Sequence, residues 1–95
     1  MKAIIIGAGK VGFSIAQMLS FEGHDVVVID RSTERLKTID EHLDVQVFSG
    51  NGASVSVLKE AGVTEADLLA AVTELDELNI VSCIVARSLG VNRTI

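Results

Sequence analysis

Short runs of consecutive apolar residues alternate along the chain with longer segments in which apolar residues recur every three or four positions. The first pattern is typical of strands buried on both faces of a sheet, and the second is typical of amphipathic helices. The pattern predicts strands at residues 3–6, 26–30, 45–48, 67–72 and from residue 91 onward. It predicts helices between them, at residues 11–22, 33–43, 55–60 and 78–89.

Local signals indicate the helix ends and the faces that the helices bury. Ser32 or Thr33 is expected to cap the second helix, and Gly23 and Gly90 are expected to end the first and the fourth. The sequence TELD at 73–76 has the spacing of a capping box, and the helix after it is apolar nearly all round. That helix is expected to be buried against the sheet, with another subunit as a further option. The residues expected to face the core from the first two helices are Val11, Ile15, Met18, Leu19, Leu36, Ile39 and Leu43.

The order of the elements determines the predicted fold class. Strands that alternate with helices through short connections form parallel sheets with right-handed crossovers. We therefore predict a doubly wound, Rossmann-like α/β fold with strand order 3-2-1-4-5 and three α/β/α layers. Residues 1–95 are expected to form a single domain, because no linker or repeat divides them. Since the fifth strand is cut off soon after it starts, we expect this domain to be a fragment of a longer chain.

Composition and charge disfavour several classes of function. The 13 acidic and 8 basic residues give a net charge of −5, which argues against binding to nucleic acid or to an anionic membrane surface. No apolar stretch reaches the ~18 to 20 residues that a membrane span requires, so direct membrane insertion is not expected. Cys83 is the one cysteine, which allows no internal disulfide, and it is expected to fill the core.

Three glycines follow the first predicted strand directly and open the first helix, in the sequence IIIGAGKVG. Gly7 would permit a tight turn, Gly9 would let a pyrophosphate approach bare backbone, and Gly12 would let the helix pack close to the strand. The positive end of the helix, with its free N–H groups, would then face the phosphates. A glycine-rich turn without a ligand is the alternative. The candidate pyrophosphate-binding residues are Gly7, Ala8, Gly9, Lys10, Val11 and Gly12.

An acidic residue completes the dinucleotide-binding pattern at the end of the second predicted strand. Asp30 lies 18 positions after Gly12, where its carboxylate can accept hydrogen bonds from the hydroxyls of the adenosine ribose. This residue favours NAD over NADP, because a 2′-phosphate would meet a like charge. The neighbouring Arg31 could instead receive a phosphate or stack on adenine, or be a solvated surface residue.

Two further loops follow the third and fourth predicted strands. Asn51 in SGNGAS could contact the adenine edge, although a turn-forming role beside Gly52 explains it equally well. Thr73 and Glu74 lie where the ribose on the nicotinamide side would bind, with helix capping as the alternative for Thr73. These loops share the carboxyl edge of a parallel sheet with the glycine turn.

Catalytic and metal-binding patterns are absent from the sequence. His24 and His42 are both expected at the surface, away from the predicted cleft, and Asp76 with Glu77 is expected to form the acidic first turn of the fourth helix. No Ser/His/Asp set and no metal-ligand spacing occurs. The sequence therefore predicts a binding domain that is not an enzyme.

Several stretches resemble the nucleotide-binding domain of the regulatory proteins of Trk potassium uptake (TrkA), within the wider KTN or RCK family. They are IIIGAGKVGFSIA, HDVVVID, GNGAS with VLKEAGVTEADLLAAVT, and DELNIVSCIVARSLGV. The resemblance implies a cytoplasmic subunit that binds NAD or NADH, forms homo-oligomers and lies beneath a membrane-embedded potassium-translocating subunit. Many relatives outside the Trk group carry aspartate at the position of Asn51, so ATP and ADP stay as alternative ligands.

Two other functions are compatible with the same residues. The chain could be the amino-terminal cofactor domain of an NAD-dependent dehydrogenase whose catalytic domain follows Ile95. It could also be an assembly domain whose nucleotide site no longer binds a ligand.

Overall fold

Five parallel strands form one sheet in the computed structural model, which describes residues 1–95. The strands are β1 (Lys2–Ile6), β2 (Asp25–Asp30), β3 (Gln46–Ser49), β4 (Leu68–Ala71) and β5 (Arg93–Thr94). Their order in the sheet is β3-β2-β1-β4-β5, and every neighbouring pair is parallel. The predicted Rossmann-like fold and strand order are confirmed.

Four α-helices cover the two faces of the sheet. They are α1 (Lys10–Phe21), α2 (Thr33–His42), α3 (Val55–Glu60) and α4 (Asp76–Ser88), and a single 3₁₀ turn, Val63–Glu65, precedes β4. Helices α1 and α2 pack on one face, and α3 and α4 pack on the other. Of the two predicted caps of α2, Ser32 and Thr33, the structure has Ser32. Its side chain accepts a hydrogen bond from the Arg35 N–H at 3.2 Å.

Alternate residues of the central strand β1 fill two separate cores. Ala3 and Ile5 pack with α1 and α2, whereas Ile4 and Ile6 belong to the core that includes Leu58 of α3 and Ala86 of α4. Because both faces of the strand are covered, both sets of positions are apolar, which is why the sequence shows runs without alternation.

The inward face of α1 differs from the prediction at two positions. Val11 and Met18 are 58% and 54% exposed, whereas Gly12, Ala16 and Leu19 are buried. The predicted and the observed residues both recur at helical spacing, but the observed face carries small residues. Small residues let α1 approach the sheet closely, and this close approach turns Val11 and Met18 toward solvent.

Helix α4 also differs from the prediction. It begins at Asp76 with Leu75 at the capping position and no side-chain cap, so the predicted capping box at 73–76 is wrong. The helix buries only one face, at Ser82 and Ala86. The opposite face is exposed, and its large apolar residues are Ile80, Val81 and Ile84. Burial of this face against another subunit stays a prediction.

Replacing isoleucine by alanine should have very different effects at the centre of the sheet and on the outer face of α4. Ile29 is completely buried and Ile84 is 62% exposed. We expect Ile29→Ala to lower the free energy of unfolding by about 2–5 kcal/mol, because it leaves a cavity between packed layers. Ile84→Ala should change it by less than about 0.5 kcal/mol. Urea denaturation of both variants measures this, and similar losses would contradict the exposed position of Ile84.

Candidate functional site

A cleft of about 410 Å³ opens at the carboxyl ends of β1, β2 and β4. Strands β1 and β4 are neighbours in the sheet, but the helices that follow them lie on opposite faces. A crevice forms where neighbouring strands connect to opposite faces, and ligands of open α/β sheets bind at this position. The sequence-predicted site residues that line the cleft are Gly7, Gly9, Lys10, Val11, Asp30, Arg31, Thr73 and Glu74.

The first and third glycines of the turn are required by the fold itself. Gly7 has a φ of +118°, in the left-handed region, and a Cβ there would lie 3.0 Å from the Val72 carbonyl group. At Gly12, a Cβ would overlap the carbonyl oxygen of Gly7. These two glycines therefore let α1 start directly above the end of β1.

Gly9 has no such structural requirement. Its φ of −79° and ψ of −165° suit any residue. The nearest atom to a Cβ built there is a guanidinium nitrogen of Arg35, at 3.8 Å, which is ordinary van der Waals contact. The missing side chain leaves backbone bare on the wall of the cleft, and neither packing nor conformation explains it.

Asp30 ties the end of β2 to the glycine turn. One carboxylate oxygen accepts a hydrogen bond from the Ala8 N–H at 2.7 Å, and the other accepts one from the Ser32 N–H at 2.7 Å. Each oxygen keeps a second acceptor position. Asp30 therefore holds the turn in place and can still accept hydrogen bonds from the cleft. The Ala8 N–H is committed to Asp30 in this structure.

The loop after β4 is fixed by a residue that was not among the predicted site residues. The side-chain oxygen of Asn79 accepts hydrogen bonds from the Thr73 N–H at 3.0 Å and from the Thr73 hydroxyl at 2.6 Å. The Asn79 amide donates to the Thr73 carbonyl at 3.0 Å. Asn79 thus determines the position of Thr73 and of the neighbouring Glu74. The only signal in the sequence was its place in the DELN stretch.

An ion pair joins two elements on the rim of the cleft. The guanidinium of Arg35, in the first turn of α2, lies 3.2 Å from the carboxylate of Glu74 in the loop after β4. The two side chains are 49% and 82% exposed. We call this contact the cleft ion pair. Sequence reasoning missed Arg35 because a charged residue in an exposed helical turn gives no indication of a partner 39 positions away.

The loop after β3 contributes glycines rather than Asn51 to the cleft lining. Gly50 and Gly52 line the cleft, whereas the Asn51 side-chain oxygen accepts a hydrogen bond from the Ala53 N–H at 2.8 Å. The turn-forming role considered for Asn51 is therefore present in the structure. Contact between Asn51 and a nucleotide stays a prediction, as does a nucleotide contact of the exposed Arg31.

The two histidines lie away from the cleft. His24 contacts the terminal amine of Met1 at 3.1 Å, and the ring of His42 lies 2.7 Å from the Thr38 carbonyl at the end of α2. Neither residue lines the cleft. The half-buried Cys83 packs against the core of α3 and α4, as predicted.

No helix of this structure combines the length and the apolar character needed to cross a lipid bilayer.

The strand order, the glycine turn and the cleft at the strand ends define a Rossmann-like α/β domain. The family model of the TrkA-N domain matches residues 3–95. The chain belongs to the TrkA-N domain family, and the resemblance to Trk regulatory proteins found in the sequence is confirmed.

Similar full-length proteins are named for potassium uptake. The Trk system potassium uptake protein TrkA of Halomonas elongata is 43% identical over 89 residues, which cover 94% of this chain and 20% of that protein. The Trk system potassium uptake protein trkA homolog 1 of Methanosarcina mazei is 50% identical over 93 residues, which cover 98% of this chain and 22% of that protein. The chain therefore spans about a fifth of the length of these relatives.

A solved structure supports the fold. The Shewanella denitrificans Kef CTD in its AMP-bound form matches with a TM-score of 0.78 and 24% sequence identity. The match covers 93% of this chain and 52% of that chain. At this identity the likeness concerns the fold.

Alanine should affect the glycine turn differently at Gly12 and at Gly9. Gly12→Ala should lower the free energy of unfolding by about 1–3 kcal/mol, because the added methyl group meets the Gly7 carbonyl and must displace α1. Gly9→Ala should change it by less than about 0.5 kcal/mol, because space is available there. Thermal and urea unfolding of both variants test this. An equal loss at the two positions would contradict the described geometry of the turn.

Proposed function

We propose that the chain is the NAD- or NADH-binding domain of a regulatory subunit of a Trk-type potassium uptake system. In this role it binds a nucleotide as a signal and catalyses no reaction. The observation that carries the proposal is Gly9, whose bare backbone lines the cleft although the fold does not require a glycine there. A phosphate that must approach the backbone supplies the missing reason.

The glycine turn and the start of α1 would hold the pyrophosphate. Gly7 to Gly12 form the turn, and α1 begins at Lys10 with the positive end of its dipole toward the cleft. The free N–H groups of the first helical turn point at the same space. The pyrophosphate would therefore rest against Gly9, with Lys10 and Val11 beside it.

Asp30 would bind the adenosine ribose. Its two backbone hydrogen bonds fix the carboxylate at the cleft, and its remaining acceptor positions suit the paired hydroxyls of a ribose. A 2′-phosphate would meet a negative charge, so NAD is favoured over NADP. Arg31 and Asn51 would lie on the adenine side.

Thr73 and Glu74 would lie against the distal ribose of the dinucleotide. Both line the cleft on the side opposite Asp30, at the end of β4. The Thr73 hydroxyl is engaged with Asn79, whereas the Glu74 carboxylate is exposed and can accept ribose hydroxyls. ATP or ADP is the alternative ligand, since the structurally similar Kef domain is described as AMP-bound.

The potassium uptake role rests on the names of the relatives. The homo-oligomer and the membrane-embedded potassium-translocating partner are what membership of the TrkA-N family suggests. The names of the relatives favour a transport regulator over the cofactor domain of a dehydrogenase. A cytoplasmic location beside the transporter belongs to the same proposal. Regulation requires that the nucleotide bind one conformation more tightly than another, because equal affinity shifts no equilibrium.

Isothermal titration with NADH, NAD, ATP and ADP tests nucleotide binding. We expect binding of NADH or NAD, and we expect Gly9→Ala to weaken it at least about tenfold because a methyl group blocks the approach to the backbone. Ser14→Ala, on the exposed side of α1, is the matched control and should bind like the wild type. Failure of all four nucleotides to bind would refute the proposed function.

Asp30→Asn tests the carboxylate as a ligand of the ribose, although it also removes one of the two backbone hydrogen bonds of Asp30. The amide keeps the size of the side chain but offers one acceptor oxygen in place of two. We expect a loss of affinity for NADH of about three- to tenfold with a smaller loss of stability. Unchanged affinity in a folded variant would exclude Asp30 as a ribose ligand.

A further inference from the structure

The cleft ion pair places a cation directly above the bare backbone of the glycine turn. One guanidinium nitrogen of Arg35 lies 3.2 Å from Glu74, and another lies 3.8 Å from the position of a Cβ on Gly9. The same guanidinium therefore lies beside both the carboxylate and the space that a phosphate would occupy. A ligand phosphate at Gly9 would compete with Glu74 for Arg35.

The ion pair is suited to exchange because it is weak. Both side chains are substantially exposed, and exposed pairs contribute little to stability. Arginine also binds phosphate through two parallel hydrogen bonds, and this arrangement is stronger than a single contact. The Arg35 backbone stays fixed meanwhile, since its N–H is held by Ser32 in the cap of α2. Only the side chain has to move.

We propose that Arg35 is a phosphate ligand that Glu74 holds at the cleft until a nucleotide arrives, and that the exchange selects dinucleotides. The proposal rests on the proposed function. On binding, Arg35 moves from the Glu74 carboxylate to the phosphates, and Glu74 is released. In a dinucleotide, the distal ribose hydroxyls then donate hydrogen bonds to the released carboxylate.

A mononucleotide cannot complete this exchange. Its phosphates can bind Arg35, but it has no distal ribose whose hydroxyls could donate hydrogen bonds to Glu74. The carboxylate is left without its cation, close to added negative charge. Since Asn79 fixes the loop through Thr73, Glu74 stays near the cleft. The cleft ion pair therefore lowers the affinity for ADP and does not lower the affinity for NADH.

The variant Glu74→Gln tests the selection. We expect the affinity for ADP to rise about two- to fivefold, because Arg35 is freed, while the affinity for NADH stays equal or falls because a ribose acceptor is weakened. The ratio of NADH to ADP affinity should fall accordingly. Glu77→Gln is the matched control, with the same change of net charge on the exposed first turn of α4. Titration calorimetry of both ligands at low and high salt measures the ratio.

A second variant connects the effect to Arg35. Arg35→Met should lower the affinity for both nucleotides about five- to tenfold, whereas Lys37→Met, an exposed cation on the same helix, should have little effect. In the Arg35→Met background, Glu74→Gln should raise the affinity for ADP by a clearly smaller factor than it does in the wild type, because no ion pair is left to break. Thermal unfolding of each variant checks that the fold is intact.

The outcomes are distinguishable. If the wild type binds no nucleotide, the proposed function and this inference both fail. If the wild type binds nucleotides but Glu74→Gln changes the affinities for NADH and ADP by the same factor, the exchange is refuted and the nucleotide site stands. A gain for ADP that equals that of Glu77→Gln, or that is undiminished in the Arg35→Met background, refutes it as well.

Discussion

The close approach of helix α1 to strand β1 is the constraint on which the rest of the structure depends. The helix starts so near the strand end that a Cβ at Gly12 would overlap the Gly7 carbonyl oxygen. The chain can make this turn only because Gly7 adopts a left-handed conformation. The same approach aims the first N–H groups of α1 at the carboxyl edge of the sheet, where the cleft opens. A packing requirement thus creates the surface that a phosphate can use.

Polar side chains then fix the loops around that surface. Asp30 holds the glycine turn through the Ala8 N–H, Asn51 closes its own turn through the Ala53 N–H, and Asn79 holds Thr73. Each of them binds backbone groups, and Asn79 also binds the Thr73 hydroxyl, so each loop is held in one conformation before any ligand binds. Preorganisation of this kind lowers the entropy that binding must otherwise offset.

The sequence predicted the fold well because both faces of the sheet are covered. Continuous apolar runs identify the strands, and the alternation of strands and helices specifies their order in the sheet. The orientation of α1 was predicted incorrectly at Met18 because periodicity favours large apolar residues, whereas the close contact with β1 requires small ones. Helix α4 was expected to be buried against the sheet, with another subunit as a further option, because it is apolar nearly all round. In the structure it buries one side, at Ser82 and Ala86. Its outer side, with Ile84, is exposed.

Residues of the site that directly follow a strand in the sequence could be predicted. Residues that act through contacts with distant segments could not. The glycine turn and Asp30 follow in sequence from the ends of β1 and β2, so spacing was enough to place them. Arg35 and Asn79 act through partners in other segments, and only the folded chain brings these together.

The net charge of the whole chain and the charges that line the cleft lead to different conclusions about ligands. The net charge of −5 argues against an extended polyanion as a partner, because such a partner contacts a broad surface. A nucleotide at the proposed site would contact only the cleft, which is lined by the basic residues Lys10, Arg31 and Arg35 and by the positive end of α1. The electrostatic potential in a concave site depends more on the charges that line the site than on the net charge of the protein. An acidic domain can therefore offer a local anion site. In the proposed binding mode, Asp30 and Glu74 would favour a ligand whose hydroxyl groups meet these carboxylates while its phosphates meet the helix end.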